Sequence, residues 1–354
     1  MNIAFFSPTL NVGGYEKVVL AFANYFARDE ENEVTIVCGN SEGQLCKQIS
    51  KKVKIIDLNC RTKILMFKLT SYFKRNTPDY FYCGFRIYNS IAILSRFLAG
   101  NSKTKIVISQ HGYEYQNLLE ISFHRIIQRK ADALIAVTQS LLDFESEILR
   151  LKCPMRAIGN PVIENTSVQT TSREAWFDEA PVLCVCGRLS RDKNIALAID
   201  ILKFLHENSY KCKLLILGDG PERRQLELMA ESYLLKDYVR FEGFVSNPIK
   251  YMSQCHLYLH TCDKEGFGNT VVEAMFANLP IVTTACGGPV DIIENGNYGI
   301  CFGNGRDEKA AMRGAKAVIE ILDNRISFFD LKKKALTYSV DCVSEQMKLF
   351  LKSL

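Results

Sequence analysis

Long apolar runs are missing from this 354-residue sequence. No stretch approaches 18 consecutive apolar residues, so there is no candidate for a membrane-spanning helix. C-x-x-C pairs are missing too. The thirteen cysteines are odd in number and scattered, which fits reduced, mostly buried thiols rather than a disulfide framework. The start, Met1-Asn2-Ile3-Ala4-Phe5-Phe6-Ser7-Pro8, has neither the basic region nor the long apolar core of a secretory leader, and a cytosolic protein is expected. The sequence contains no nucleic-acid-binding motif, short-period repeat or low-complexity segment, and nucleic acid is not expected as a partner.

What is present suits two domains, because the chain is long for one core. The charge is uneven, at +7 over residues 1–160 and −2 over the rest. A basic first half points to an anionic partner on that side. Strand-like runs at Ile3–Phe6, Val34–Cys38, Val53–Asp57, Asp79–Cys83, Lys105–Ser109 and Ala133–Val137 alternate with helical patterns. After a polar stretch the alternation restarts at Val182–Cys186, Lys213–Leu217, Tyr238–Phe241, His256–His260, Ile281–Thr284 and Gly299–Phe302. Such alternation predicts an α/β fold of two doubly wound, Rossmann-like domains with a cleft between them. The expected division is 1–163, a linker at 164–180, and 181–338. Ligands in such folds bind at the carboxyl ends of the strands.

The densest chemical signal is Glu265-Gly266-Phe267-Gly268-Asn269-Thr270-Val271-Val272-Glu273. Two glycines let a backbone approach a ligand closely. Asn269 can cap the helix that follows, whose N-terminal amides suit a phosphate. Glu273 then lies roughly 6 Å into the helix, so one carboxylate can meet sugar hydroxyls and the other a ribose. In Gly187-Arg188-Leu189-Ser190-Arg191-Asp192-Lys193, Arg188 and Lys193 can neutralise a diphosphate. Gly218-Asp219-Gly220-Pro221-Glu222 reads as a strand-to-helix turn, and Asn11-Val12-Gly13-Gly14 opens a helix after the first strand. His111 ends another strand. His256 and His260 would share a strand face, where core packing is expected rather than a metal site. No Asp-x-Asp occurs, which favours neutralisation of a diphosphate by side chains; no metal or other cofactor is expected.

Together these motifs resemble the retaining glycosyltransferases of GT-B fold, glycosyltransferase family 4, over nearly the whole length. The resemblance implies a donor-binding second domain and an acceptor-binding first domain, with helix 339–354 crossing back to the first. It implies that Arg188 and Lys193 contact the diphosphate, that Glu273 binds the ribose, and that Glu265 with the amides of Phe267–Thr270 contacts the donor sugar and phosphates. Gly266 and Gly268 lie in that same loop. Asp219, Phe244 and Val245 join the donor site, Gly13 and Gly14 approach the diphosphate, and His111 touches the sugar near its reacting carbon. Tyr15 stands where the family often has Ala. The implied partners are a nucleotide-sugar donor, commonly of uridine, and a lipid-linked or lipopolysaccharide acceptor. An epimerase or a silent donor-binding subunit on the same scaffold are the other readings.

The segment from Arg61 to Arg75 mixes five basic with seven large apolar residues and has no acid. It reads either as a core helix with solvated lysines or as an interfacial helix. On the second reading Lys63, Lys68, Lys74 and Arg75 meet the cytoplasmic face of the inner membrane, and the enzyme is peripheral to it.

Overall fold

The computed structural model describes residues 1–113, 118–164 and 174–354. They divide into two compact units, residues 1–162 with 339–354, and residues 163–338.

The first unit is built on strands β1 (Asn2–Ser7), β2 (Glu33–Cys38), β3 (Lys54–Asp57), β4 (Tyr80–Gly84), β5 (Lys105–Gln110), β6 (Ala133–Ala136) and β7 (Met155–Ala157). Between them run helices α1 (Gly14–Phe26), α2 (Thr62–Arg75), α3 (Arg86–Leu98), α4 (Leu118–Gln128) and α5 (Gln139–Leu149). The sheet order is β3-β2-β1-β4-β5-β6-β7, and each neighbouring pair is parallel. Phe5, Phe81, Ile106 and Leu134 are wholly buried, as strands covered on both faces require.

The second unit carries β8 (Val182–Cys186), β9 (Lys213–Leu217), β10 (Val239–Gly243), β11 (Leu257–His260), β12 (Ile281–Thr283) and β13 (Gly299–Cys301). Its helices are α6 (Ile195–Glu207), α7 (Arg223–Ser232), α8 (Pro248–Met252), α9 (Asn269–Phe276), α10 (Gly288–Ile292), α11 (Ala310–Leu322) and α12 (Leu331–Leu336). The order is β10-β9-β8-β11-β12-β13, again parallel throughout. The last helix, α13 (Val340–Ser353), belongs to the first unit. It packs on α1, with Tyr25 bonded to Glu345 at 2.9 Å and Tyr80 donating to the carbonyl of Leu351 at 2.7 Å.

The two doubly wound parallel sheets are the fold class that the alternation predicts. Three elements escape the sequence pattern: β7, α8 and α10. Each has only three to five residues, too few for a period to show. Of the expected linker, residues 165–173 lie outside the described residues. Its last part is packed rather than free, with Phe177 buried and the Lys213 ammonium 4.8 Å from the centroid of the Trp176 ring.

Strand order reverses between β1 and β4 in the first unit and between β8 and β11 in the second. Loops leaving those strand ends diverge and open a crevice at each sheet's carboxyl edge. In the second unit the loop after β8 is held close to its neighbours. Gly187 donates to Leu217 at 2.9 Å, Leu189 to Asp219 at 3.0 Å and Glu222 to Leu189 at 3.0 Å. A Cβ at Gly218 would lie 1.9 Å from the carbonyl oxygen of Gly187, and its φ is +134°. Gly218→Ala should therefore destabilise the second unit by about 2 kcal/mol or more, from strain and backbone clash together. The melting transition of the full chain reads this directly; a shift of less than about a degree would mean the loop is free to move.

Candidate functional site

In the second unit the β8 and β11 loops bring Lys193 and Glu265 together. Lys193 Nζ lies 2.5 Å from Glu265 Oε2. Burial alone would lower the Lys193 pKa, but Glu265 beside it overrides that and the pKa ends above its ordinary value. The backbone of Glu265 is clamped to the loop after β12, with its N–H bonded to Cys286 O at 2.8 Å and its carbonyl accepting from Gly288 at 2.9 Å. A Cβ at Gly288 would lie 2.4 Å from Phe267 O, so close passage of these two loops fixes the carboxylate's position.

Helix α9 starts directly after this loop. Its N-cap is Gly268, at φ +105°, not Asn269, which is the first helical residue. Residue type makes Asn269 the expected cap. The backbone instead turns through the left-handed region one residue earlier, where glycine is the residue without a penalty. The side chain of Phe267 turns inward against Tyr338 at 5.3 Å, leaving its backbone to the crevice. The hydroxyl of Tyr258 lies 2.7 Å from Thr270 Oγ1 and 3.2 Å from Cys186 O, tying the first turn of α9 to the end of β8. Glu273 follows inside α9, half-buried.

Arg188 is exposed on the β8 loop and, among the described residues, pairs with no carboxylate. Asp219 is held by its own loop, accepting from Gly220 N–H at 2.7 Å and pairing with Arg223 at 3.2 Å. Phe244, 69% exposed, and Val245 follow β10 at the same sheet edge. The arrangement offers the exposed Arg188, the Lys193–Glu265 pair, the Glu273 carboxylate and a helix N-terminus at the crevice edge of this sheet. That set suits a diphosphate carrying hydroxyl-rich groups.

The sequence does not single out His260 for this site. It ends β11 and lies 3.9 Å from Glu265. Burial pushes its pKa down to about 4 against the opposing pull of Glu265, so the neutral ring packs behind the carboxylate. The only sequence signal is the His256/His260 spacing, but β11 begins at Leu257 and the two histidines do not act together. His256 instead accepts from the Val182 N–H at 3.0 Å. Among the described residues no group of three or more His, Cys, Asp or Glu is placed to hold a metal ion. All thirteen cysteines are free thiols.

In the first unit Gly13 caps α1 and Gly14 is its first residue. The Glu16 carboxylate folds back over Gly13, where a Cβ would lie 2.1 Å from its Oε2. Burial raises the pKa of Glu16. An anion at Gly13 and Gly14 would have to displace this side chain. His111 follows β5, with Nε2 at 2.9 Å from Ser109 Oγ and 3.4 Å from the Tyr82 hydroxyl. The ring keeps part of its surface, yet the burial of its nitrogens pushes its pKa down to about 3. Tyr15 sets this pocket. Its hydroxyl donates to Phe6 O at 2.8 Å and its ring meets His111 edge-on at 5.0 Å. Gly84 makes room, since a Cβ there would sit 2.2 Å from the Tyr15 ring.

Helix α2 divides its surface cleanly. Leu65, Leu69, Tyr72 and Phe73 are buried, so most of its apolar residues serve the core. At about 100° per residue, Lys63, Ile64, Phe67, Lys68, Lys74 and Arg75 fall on the opposite face, and all six are exposed. Two apolar side chains thus sit among four cations.

Comparison with known proteins covers both units. The family model described as "Glycosyl transferases group 1" matches residues 169–336, and "Glycosyltransferase Family 4" matches residues 12–164. An N-acetylgalactosaminyltransferase of Campylobacter jejuni, named for an undecaprenol-diphosphate-linked saccharide, is 26% identical over 86% of this chain and 85% of its own. An uncharacterized glycosyltransferase of Methanocaldococcus jannaschii is 27% identical over 57% of this chain and 54% of its own. The chain spans about half the length of the first curated relatives it matches. Among solved structures, the lipopolysaccharide outer core galactosyltransferase WaaB superposes with a TM-score of 0.78 at 19% identity, covering 100% of this chain and 99% of its own. Anabaena HepE in complex with UDP and glucose does so with a TM-score of 0.78 at 18% identity, covering 100% of both chains.

The buried His260 gives a pH test. Below about pH 6.5 the unfolded chain protonates this ring, whereas the folded protein resists until about pH 4. Stability should fall as pH drops through that window, on the order of 1 kcal/mol per pH unit. His260→Gln should flatten the slope of melting temperature between about pH 6.5 and about pH 4.5. Equal slopes for the two proteins would show that the ring titrates normally in the fold.

Proposed function

The chain belongs to the family 4 glycosyltransferases of GT-B fold, and from that premise we propose that it moves a hexose or N-acetylhexosamine from a nucleoside-diphosphate sugar, a UDP-sugar, to a lipid-linked oligosaccharide or lipopolysaccharide, with retention at the anomeric carbon. The observation that carries this reading is the Lys193–Glu265 pair at the point where strand order reverses, between the exposed Arg188 and the start of α9. Breaking a glycosyl–phosphate bond puts negative charge on the leaving oxygen. Arg188, Lys193 and the amides of Asn269 and Thr270 are the fixed donors for that charge. As the diphosphate takes Lys193, Glu265 is released to accept from the sugar's hydroxyls. Glu273 accepts from the ribose, and Phe244 and Val245 border the base. We read the transfer as same-face attack, with the departing phosphate taking the acceptor's proton and with Arg188 and Lys193 neutralising the diphosphate in place of a metal ion.

On the acceptor side His111, neutral at working pH, offers a hydrogen bond near the reacting carbon. The basic face of α2 favours an anionic lipid surface at about 1 kcal/mol per cation. The Campylobacter relative is named for a diphospho-undecaprenol acceptor and the WaaB neighbour for lipopolysaccharide. The names support a lipid-linked acceptor, and on that reading the enzyme works at the cytoplasmic face of the inner membrane, in the building of O-antigen, capsule or lipopolysaccharide.

Arg188→Ala and Lys193→Ala should each lower turnover by roughly 10²–10³, the scale for losing one transition-state charge partner. EDTA should leave the parent's turnover essentially unchanged. Loss of activity in EDTA with rescue by Mn²⁺ or Mg²⁺ would refute neutralisation by side chains alone.

Glu273→Gln preserves shape but weakens charge-assisted bonds worth about 1.5–3 kcal/mol each. UDP affinity measured by calorimetry should drop by roughly one to two decades while the fold survives. An unchanged dissociation constant would remove Glu273 from the ribose.

A further inference from the structure

Two helices of the first unit carry apolar side chains on their outer faces and several polar ones on their inner faces. On α3 the residues Ile87, Ile91, Leu94 and Leu98 recur at steps of four, three and four, which places them in one stripe. Ile87 and Leu98 are exposed, Ile91 and Leu94 half-buried, and Phe97 beside them is 81% exposed. The buried side of the same helix holds Arg86, Asn89, Ser90 and Ser95 alongside Ala92 and Ile93. On α4 the outward stripe is Leu119, Phe123 and Ile126, exposed by 84, 56 and 70%. Its inward residues include His124 and Gln128, both buried.

Hydrogen bonds hold this polar interior. Ser90 Oγ lies 2.9 Å from His124 Nδ1, and Gln128 Nε2 donates to Arg86 O at 3.1 Å and to Ser90 Oγ at 3.3 Å. Asn89 donates to Ser109 O at 3.0 Å and Ser95 to Met66 O at 3.0 Å. In water a surface helix turns its apolar stripe to the core and its polar side outward. Helices α3 and α4 pack side by side, and exposed apolar side chains gathered on adjoining helices mark a surface that meets something apolar.

Charge decides what that is. Helices α2, α3 and α4 pack successively side by side. The exposed face of α2 contributes Lys63, Lys68, Lys74 and Arg75, and Arg129 and Lys130 are exposed just beyond α4. Neither α2 nor α3 contains an acid, and the one acid of α4, Glu120, lies half-buried 3.9 Å from His124. A second copy of this face would bring like charges together. A bilayer with anionic headgroups supplies both the apolar layer and the opposite charge. Among the described residues no helix is long and apolar enough to cross a membrane, so the contact is a surface one.

We propose that α3 and α4 insert Ile87, Phe97, Leu98, Leu119, Phe123 and Ile126 into the outer acyl layer of an anionic membrane, while the α2 cations lie at the headgroups. The proposal rests on the peripheral-membrane reading above and names the side chains that enter the lipid. It predicts a contact that salt alone does not release.

The test uses the full chain and vesicles of phosphatidylcholine with phosphatidylglycerol, without donor or acceptor, so it stands apart from the transfer reaction. The parent should float with the vesicles at low salt and keep a measurable fraction bound at about 0.5 M salt, where headgroup attraction is screened. The triple variant Leu119→Ser, Phe123→Ser, Ile126→Ser should lose roughly tenfold or more in binding at both salts. Its melting temperature should fall by no more than about a few degrees, because Leu119 and Ile126 stand mostly in solvent and Phe123 gives up only its edge contact with His124. In Phe123→Trp, bromines on the acyl chains should quench the fluorescence of the introduced indole, with the parent's Trp176 as the control. The fourfold Ala variant at Lys63, Lys68, Lys74 and Arg75 should bind more weakly at low salt only. Undiminished flotation of that variant, with the introduced indole still quenched, would remove the α2 contact and leave the apolar insertion standing. Equal flotation of the triple variant, with the introduced indole unquenched, would overturn the proposal. So would a concentration-dependent dimer of the parent that the triple variant abolishes, since the face would then belong to a second copy.

Discussion

Parallel pairing is the constraint from which the site follows. When every strand of a sheet runs the same way, every loop that leaves a strand leaves at the same edge. Lys193 and Glu265 are 72 residues apart in sequence and meet because β8 and β11 are neighbours. The same rule gathers Gly13, Gly84 and His111 at the edge of the first sheet, where β1, β4 and β5 end side by side. Glycine then sets how near the loops can come. Gly218 against Gly187 and Gly288 against Phe267 are backbone-to-backbone approaches that no Cβ permits. Chemistry at each edge therefore depends on residues that carry no chemistry themselves.

Electrostatics at the second sheet's edge is graded by burial. Lys193 is partly withdrawn from water and is held charged by Glu265. His260 is withdrawn further and stays neutral beside the same carboxylate. Arg188 stands in solvent on the loop that follows β8. A half-buried carboxylate shared between a cation and a neutral ring has little freedom to turn, because each neighbour occupies space that another rotamer would need. Fixed orientation, more than net charge, is what lets a polar site act on a developing charge without reorganising.

Much of this was legible in the sequence because it rests on periodicity and on glycine. The strand and helix runs, the Glu265–Glu273 stretch and the Arg188–Lys193 loop each carry their signal locally. What was not legible depends on partners distant in sequence. Asn269 looks like a cap by residue type, but the turn through Gly268 is dictated by the loop's close passage against Gly288. His260 is the exception, close to Glu265 in sequence, yet it is indistinguishable from a core histidine until the loop leaving β11 folds back and sets the carboxylate 3.9 Å from the ring. Tyr15 departs from the residue the resemblance leads one to expect, and only Gly84, on a strand far along the chain, shows how the larger ring is housed. The short β7, α8 and α10 have no period to read and are held by their neighbours.

Helix α2 shows how one segment can satisfy two readings at once. Its apolar residues exceed one stripe, and the structure sends four of the seven into the core while Ile64 and Phe67 remain among lysines. Composition registered the excess but could not assign it to faces. In α3 and α4 the excess is larger, because hydrogen-bonding side chains share the inward positions with aliphatic ones such as Ala92 and Ile93. A buried polar network costs stability unless its members are paired, and placing Ile and Phe in water forfeits burial that the core could have used. Both costs run against the fold taken alone. They become intelligible when the outer stripe has an apolar medium of its own, so that the interior specifies the register of the two helices and the exterior is left to bind.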